Sequence, residues 1–521
     1  MRGRVENLLE KIHSYNPKAD LDMVRLAFEF AEHAHKGQMR SSGEPYIIHP
    51  LAAAEILADM KLPTNIIIAG LLHDVPEDTP VTIADIRKNF GDDVASMVSG
   101  ITKLGKLKYR GVDRYIENLR KMFVAMASDV RVIMIKFADR IHNLETLGAL
   151  PPNKQKRVAM ESLEIYAPIA NRLGMNEMRT RIEDLAFRYA MPKEYEWASS
   201  LASKAASAKE RYIARIKSVI EKDLRDAHLP IVQIQGRVKH LYSLYQKLLK
   251  HERDIVQIHD LVALRVLMPS VGDCYAALGI IHQRWKPLSG RIKDYIAQPK
   301  PNGYKSLHTT VFCDEGEIVE FQIRTVEMHE EAERGIAAHW RYDEDGKQAQ
   351  AALAAQLGWV KDLAENQRQI RDNDAYLESL ETMKIDVFQN RIFVFTPKGD
   401  VIDLPEGATP VDFGYAIHTD IGNTCVGARV NDQIVSLDSP LHSGDYCEII
   451  VDKNRKAPNP DWLTFIKTSH ARSHIRTMAK SKLNKWLKDL SDAEDGEQKK
   501  YVPPSAKTAR NPKSRKQKPS K

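Results

Sequence analysis

No run of about 18 apolar residues occurs in the 521-residue chain, so the sequence offers no membrane-spanning helix. The opening MRGRVENLLEKIHSY is charged and helix-like and lacks the apolar core of a secretory signal, so the expected compartment is the cytoplasm. Cysteine is scarce: the 4 present, Cys274, Cys313, Cys425 and Cys447, show no CxxC spacing. That disfavours a disulfide framework and a thiolate zinc site, and predicts small buried side chains. A true P-loop is missing as well. Gly100 to Leu107, GITKLGKL, matches the first seven positions of one, but Leu107 stands where a hydroxyl would hold magnesium. Strong net charge is absent once the C-terminus is set aside. The formal charge is +7, yet nine Lys or Arg and no acid lie from Lys499 to Lys521, and removing those leaves the body at −2. The basic excess belongs to a Pro/Ser/Lys tail of disordered composition, a solvated tail or an RNA tether, so overall pI does not argue for nucleic-acid binding by the body.

A hydrophobic share of 43% and a charged share of 28% are those of a soluble globular protein, and the length requires three or four domains. Residues 1–195 alternate amphipathic helical patterns with polar breaks and read as all-α. Residues 206–342 read as α+β: AKERYIARIKSVIEKDL is helical, LVALRVLM strand-like, and KSLHTTVFCDEGEIVEFQIRT a hairpin turning at DEG. An Ala/Gln-rich helical connector follows at 343–384, then a compact β-rich module at 385–452. A helical segment at 453–490 and the basic tail at 491–521 complete the chain.

The run IIIAGLLHDVPEDT is the most informative stretch, because an apolar helical run ends in four ionisable residues within six positions. Such groups cost free energy there unless they are used. On one helix His73 and Glu77 would be a turn apart, as would Asp74 and Asp78, presenting an imidazole and three carboxylates to one side. A borderline-hard divalent ion such as manganese would neutralise the cluster, acidify water and polarise a phosphoryl oxygen. His49 in GEPYIIHP and Asp139 in KFADRIHN supply two further ligand types.

A second constellation follows. In GRVKHLYSLYQKLLK, a turn leads into a predicted helix on which Lys239, Ser243 and Lys247 share a face, with Arg237 at its mouth. Fixed positive charge of this kind suits a triphosphate. In VEFQIRT, Glu320, Gln322 and Arg324 alternate with Val319, Phe321 and Ile323, so one sheet face is apolar and the other chemical. Asp260 opens the strand-like segment HDLVALRV. Together Asp260 and Glu320 could hold magnesium, with Glu320 placed to accept a proton from an attacking hydroxyl. Between them lies a Gly/Pro-punctuated loop with Lys293, Tyr304 and His308, whose aromatic ring could stack on a base.

His49, then His73-Asp74, then Asp139, within a helical region, resembles the HD phosphohydrolase superfamily. AHKGQMRSSGEPYIIHP, LLHDVPEDT, IKFADRIHNLET and EIYAPIANRLGM narrow this to the hydrolase domain of long RelA/SpoT homologues. The block from Arg237 to Arg324 resembles the synthetase domain of the same family, a nucleotidyltransferase-like fold. VFTPKGDVIDLPEGATPVDFGYAIHTDIGNTCVGARVN looks like its TGS domain, a β-grasp module. The resemblance implies an enzyme of the alarmones ppGpp and pppGpp. It implies His49, His73, Asp74 and Asp139 as manganese ligands, Glu77 and Asp78 acting on the attacking water, and Arg40 and Asn143 lining a nucleotide pocket. In the synthetase it implies Arg237, Lys239 and Lys247 on ATP, Asp260 and Glu320 at magnesium, and Tyr304 against guanine of GDP or GTP with Lys293, Asn302 and His308 nearby. The RIKD sequence at 291–294 is of the basic type seen in bifunctional members. His418 is implied as a contact for the 3′ end of uncharged tRNA on the ribosome. Ser41 stands where Lys is common, Lys305 where Gln is frequent, and Pro76 where an aliphatic is usual, removing a hydrogen bond to Leu72. The alternatives are an enzyme with one dead site, or a tRNA- or ribosome-binding regulator with vestigial catalytic domains. No catalytic-type residue is missing from either constellation, and no ACT domain is evident.

Overall fold

The computed structural model describes residues 2–105, 121–254, 258, 262–300, 302–339, 391–442, 444–452, 454–455 and 457–479. The chain divides into two compact units, Met1–Phe388 and Gln389–Lys521. Among the described residues no helix is long and apolar enough to cross a membrane.

The first unit begins as a helical half. Helices Ile48–Asp59 and Thr64–Leu72 are apolar on nearly every side and therefore form its centre. Leu21–Ala34 is amphipathic, turns Val24, Ala27, Phe28 and Ala31 inward, and is capped by Asp20, whose carboxylate accepts from the Met23 N–H. Arg131–Glu145 crosses the same core. The GITKLG segment lies in helix Ile83–Gly105 and follows no strand, so the P-loop match is structurally empty. Spacing alone puts His73, Asp74, Glu77 and Asp78 on one helix, and the structure corrects this. The helix stops at Leu72, and a short second helix, Val75–Asp78, begins with Pro76 in its first turn. Proline has no N–H to return to Leu72 but fits a first turn well, so the break falls at His73-Asp74.

The expected boundary between residues 195 and 206 falls inside one helix, Pro192–Asp226. Its Ile213, Ile216, Ile220 and Leu224 pack under the sheet of the second half. That sheet contains β1 (Gln233–Val238), β2 (Val262–Met268), β3 (Lys286–Pro287), β4 (Lys293–Asp294), β5 (Leu307–Phe312) and β6 (Ile318–Thr325). The order is β1-β2-β6-β5-β3, with β4 also on β5; β2 and β6 run parallel and the other described pairs antiparallel. β5 and β6 turn at Asp314–Gly316, as DEG predicts, with Glu315 at φ 64°. Val319, Phe321 and Ile323 enter the sheet core, so β6 alternates as its sequence does.

The halves meet at backbone. The Ile336 N–H donates to the Leu173 carbonyl at 3.0 Å, and Ile336 and Ala337 are buried in the helical core. A Cβ on Gly335 would meet the Leu173 oxygen at 2.2 Å, and Gly335 has φ +56°. Only glycine fits this approach.

In the second unit β7 (Arg391–Phe395) pairs with β8 (Val401–Pro405), and β9 (Cys425–Val430) lies between β10 (Gln433–Val435) and β11 (Cys447–Val451). Helix Pro410–Ile417 places Asp412 in the interior, where its carboxylate accepts from Thr409, Lys467 and Thr468. All 4 cysteines are buried and free, as composition predicts. The connector at 343–384, the end of the 453–490 segment and the basic tail lie outside the described residues.

Gly335→Ala combines left-handed backbone with a backbone clash and is expected to destabilise the first unit by about 2–4 kcal/mol. Urea unfolding followed by far-UV dichroism measures it; an unchanged midpoint would contradict the close approach.

Two candidate active sites

The first site sits where the helix ending at Leu72 meets the start of Ile48–Asp59 and the middle of Arg131–Glu145. His73 is held by one bond: its Nδ1–H donates to the Gly70 carbonyl at 2.7 Å. Its Nε2 is thereby left as a bare lone pair, buried and without a hydrogen-bond partner. An orphaned acceptor in a protein interior needs an explanation, and a cation is one. Asp74 Oδ1 lies 3.2 Å from that nitrogen, and Asp74 Oδ2 lies 3.4 Å from His49 Nε2. Donor atoms of His49, His73 and Asp74 all fall within 4.8 Å of one another. Asp139 joins through its Oδ1, 3.2 Å from His49 Nε2. Two imidazoles and one carboxylate converge in a way that fits a divalent metal, and the Asp139 carboxylate, the fourth expected ligand, stands beside them against His49 rather than within the cluster itself.

The surroundings prepare these donor groups. Burial pushes His49 below its ordinary pKa, favouring the neutral ring that binds metal. His49 Nδ1 lies 2.8 Å from His142 Nδ1, and burial, with His49 and Arg40 beside it, pushes His142 down to about 3. A neutral His142 accepts there, which fixes the His49 proton on Nδ1 and frees Nε2. Burial works to raise Asp139, but the Lys136 ammonium at 2.6 Å and His49 hold it well below the usual carboxylate range. Arg40 and Asn143 are brought together as predicted: Arg40 donates to Asn143 Oδ1 at 2.6 Å, and Asn143 donates onward to Asp139. Asp78 is tied in by Tyr46, whose hydroxyl lies 2.6 Å from Asp78 Oδ2 and 3.0 Å from Asp74 Oδ2. Burial pushes Glu77 up to about 7. Ser41 is exposed.

The second site is built by strand register. One row across the sheet reads Arg237, Ala263, Glu320, Thr310; the next reads Gln235, Arg265, Gln322, His308, Lys293. The polar face is a consequence of pairing. Within it Arg237 donates to Gln322 Oε1 at 3.2 Å, Gln322 donates to Glu320 Oε1 at 3.1 Å, and His308 Nδ1 reaches the same oxygen at 2.9 Å. The Tyr304 hydroxyl lies 2.8 Å from His308 Nε2. Burial pushes His308 below its ordinary pKa, so its neutral ring donates to Glu320 and accepts from Tyr304.

Arg237, Lys239, Ser243, Glu320 and Gln322 line a cavity of about 120 Å³. The spacing predicts that Lys239 shares a helix face with Ser243 and Lys247, and the structure corrects this. Gly236 to Val238 belong to β1, and the helix begins only at Leu241, because pairing with β2 keeps the chain extended. Lys247 does not line the cavity, though its charge acts on Lys300 nearby. Asn302 donates its amide N–H to the Asn171 carbonyl in the helical half at 3.3 Å, and its own oxygen accepts from the Tyr304 N–H. Asp260 lies outside the described residues. In the second unit His418 is 66% exposed between two short helices, accepting from the Asp420 N–H.

Several participants escaped the sequence reading. Lys136 and His142 flank Asp139 at i−3 and i+3, a helical spacing that would have found them. Lys300, pushed down to about 8 by burial and by Lys293 and Arg179, lies 5.0 Å from the Tyr304 ring centre; its PKPNGY setting was a signal. Arg179, which also lines the cavity, gave none.

Comparison with known proteins places families on these segments. Residues 27–176 match the HD domain, 236–347 the region found in RelA / SpoT proteins, and 392–451 the TGS domain. The chain is 46% identical over 473 residues to the GTP pyrophosphokinase of Myxococcus xanthus, covering 90% of this chain and 62% of that one. It is 44% identical over 509 residues to the GTP pyrophosphokinase of Streptomyces coelicolor, covering 94% and 60%. The chain thus spans about three fifths of the length of these relatives. It is also 46% identical over 477 residues to the bifunctional (p)ppGpp synthase/hydrolase SpoT of Escherichia coli (strain K12), covering 91% and 67%. At that identity, over two thirds of SpoT, with HD, RelA/SpoT and TGS segments in order, the chain belongs to the RelA/SpoT family.

Proposed function

We propose that this chain both makes and destroys alarmone in the cytoplasm, with 1–195 as hydrolase domain, 206–342 as synthetase domain and 385–452 as TGS domain. The observation that carries this is the pairing of an orphaned, tautomer-fixed His73 Nε2 among metal-type donors with a separate polar row around Glu320.

In the hydrolase, His49, His73, Asp74 and Asp139 would hold the divalent ion, and manganese suits two imidazoles with two carboxylates. Such an ion supplies charge that acidifies water and polarises a phosphoryl oxygen. Glu77 takes the proton of the attacking water, Asp78 is oriented by Tyr46, and Arg40 with Asn143 receives the nucleotide. Water adds to the phosphorus on the 3′ oxygen and that P–O bond breaks; the 3′ oxygen takes up the proton removed from water, giving GDP or GTP, and the phosphorus carries the water oxygen away as pyrophosphate.

In the synthetase, Arg237, Lys239, Ser243 and Lys247 bind ATP phosphates, Tyr304 stacks on guanine, and Lys293, Asn302, His308 and Gln322 frame the acceptor. Asp260 and Glu320 would hold magnesium. Glu320 accepts the proton of the 3′ hydroxyl, whose oxygen attacks the β-phosphorus of ATP; pyrophosphate is transferred and AMP leaves. His308 and Gln322 hold the carboxylate in place for this. The exposure of His418 supports a contact with uncharged tRNA, and hence the ribosome, through the TGS domain.

ATP and GDP with magnesium should yield ppGpp and AMP, and ppGpp with manganese should yield GDP and pyrophosphate; absence of either product from the wild type sinks the bifunctional reading. His73→Ala should lose hydrolysis by at least about a hundredfold and weaken Mn2+ binding in calorimetry, with synthesis intact. Glu320→Gln should do the converse. Because Glu77 must be ionised to accept a proton and burial sets its pKa near 7, hydrolysis should rise as pH rises towards 7 and level off above it. Glu77→Gln should remove that limb and slow hydrolysis by about 10²–10⁴-fold; a retained limb assigns the base elsewhere.

A further inference from the structure

Helix Asn176–Ala190 has two buried faces. Met178, Ile182, Ala186 and Ala190 repeat every fourth residue and enter the core of the helical half. One position further round the helix, Arg179, Glu183 and Phe187 repeat with the same period and turn towards the sheet half. Phe187 packs against Tyr242 and Tyr245, with ring centres 5.3 and 4.9 Å away. Asp184 accepts from the Tyr242 N–H at 3.0 Å and lies 3.4 Å from His240 Nδ1. Helix Leu241–Lys250 has no side-chain cap from its own His240, so Asp184 supplies the cap from the other half. These contacts fix the direction in which the helix points Arg179.

Arg179 ends in the cavity lined by Arg237, Lys239, Ser243 and Glu320. Its guanidinium is oriented by Asn176 Oδ1, which accepts from Nη2 at 2.6 Å and Nε at 3.2 Å. Glu183 is 3.6 Å from Nη1, a distance that leaves the pairing loose. Three cationic side chains, Arg179, Arg237 and Lys239, therefore border one small space whose lining carboxylate is Glu320. Concentrated positive charge is costly where water is scarce and is relieved by a polyanion, and a clamped planar guanidinium is the donor best matched to phosphate oxygens.

We propose that Arg179, carried by a helix whose opposite face belongs to the hydrolase core, is a phosphate-binding residue of the synthetase site and contacts the polyphosphate of the donor nucleoside triphosphate. The inference rests on the synthetase reading of this cavity. It means that the phosphate site is incomplete without a residue from outside the segment that matches the RelA/SpoT region.

The test uses the full chain as wild type, Arg179→Gln and Arg179→Lys. MgATP binding is measured by calorimetry, with the KM for ATP and GDP in synthesis, the rate of ppGpp hydrolysis and the melting temperature alongside. Arg179→Gln should weaken MgATP binding and raise the KM for ATP at least tenfold, leaving the KM for GDP and hydrolysis unchanged; Arg179→Lys should fall between. A folded Arg179→Gln that binds MgATP within twofold of wild type overturns the proposal. If Arg179→Gln melts early, Arg179→Lys decides: an ATP KM raised threefold or more at unchanged melting temperature supports it, and an unchanged KM overturns it. A wild type that neither binds MgATP nor makes ppGpp instead removes the synthetase reading itself and the role of Arg179 with it.

Discussion

The contact between the Ile336 N–H and the Leu173 carbonyl joins the sheet half to the helical half, and with them the two candidate sites. It lets the chain leaving the sheet half bury Ile336 and Ala337 in the core of the helical half, and it is possible only because Gly335 and Gly174 have no side chains there. Once the backbones touch, a set of side-chain positions follows. Asn302, in the loop that carries Tyr304, reaches the Asn171 carbonyl, and Asp184 reaches the first turn of the helix that carries Ser243. The loop that carries Tyr304 and the helix that carries Ser243 are thus each tied to the helical half, the first through Asn302 and the second through Asp184 and the packing of Phe187 on Tyr242 and Tyr245.

The two sites solve a common problem by opposite means. Each must keep a histidine neutral and in one tautomer near carboxylates that favour its protonation. At His73 and His49 the ring proton is held on Nδ1 by Gly70 and His142, which turns Nε2 towards the ligand cluster. At His308 the Nδ1–H faces Glu320 itself and Tyr304 occupies Nε2, so no lone pair is left over. Spare acceptors suit a cation, whereas a satisfied relay suits holding a carboxylate until a hydroxyl arrives. Lys136 at Asp139 and Arg237 at Gln322 are the corresponding positive ends of the two networks.

Patterns of period and residue type were legible in the sequence; long-range approach was not. The alternation of VEFQIRT gave β6 its two faces, DEG gave the turn, and the run of ionisable residues after IIIAGLL gave the cluster. Local competition was harder to read. Pro76 divides what spacing makes a single helix, and pairing with β2 keeps Val238 extended, so Lys239 leaves the helix face assigned to it. The orphaned Nε2 of His73 depends on a carbonyl three residues back, which no residue type announces. Arg179 was invisible because nothing near it in sequence is phosphate-like; its meaning comes from Asp184 and Phe187, which dock the helix.

The two proposed reactions sum to the hydrolysis of ATP to AMP and pyrophosphate, so running both at once would consume ATP with no product retained. Excluding one while the other runs requires two arrangements of some element they share, and a ligand can select between arrangements only by binding one more tightly. The shared elements in the first unit are specific: the Leu173–Ile336 contact, the Asn171–Asn302 bond, and helix Asn176–Ala190 with its Asp184 cap. That helix is a direct candidate, because one face is core for the metal-type site and the other carries Arg179 into the phosphate cavity. Met178 and Ile182 on one face and Arg179 on the next are carried by the same turns of helix, so the packing of the core and the placement of Arg179 are set together. If Arg179 contacts the donor nucleotide, that ligand touches an element that also packs the core around the metal-type site, and any effect of the contact on ligand affinity at the second site must be reciprocal.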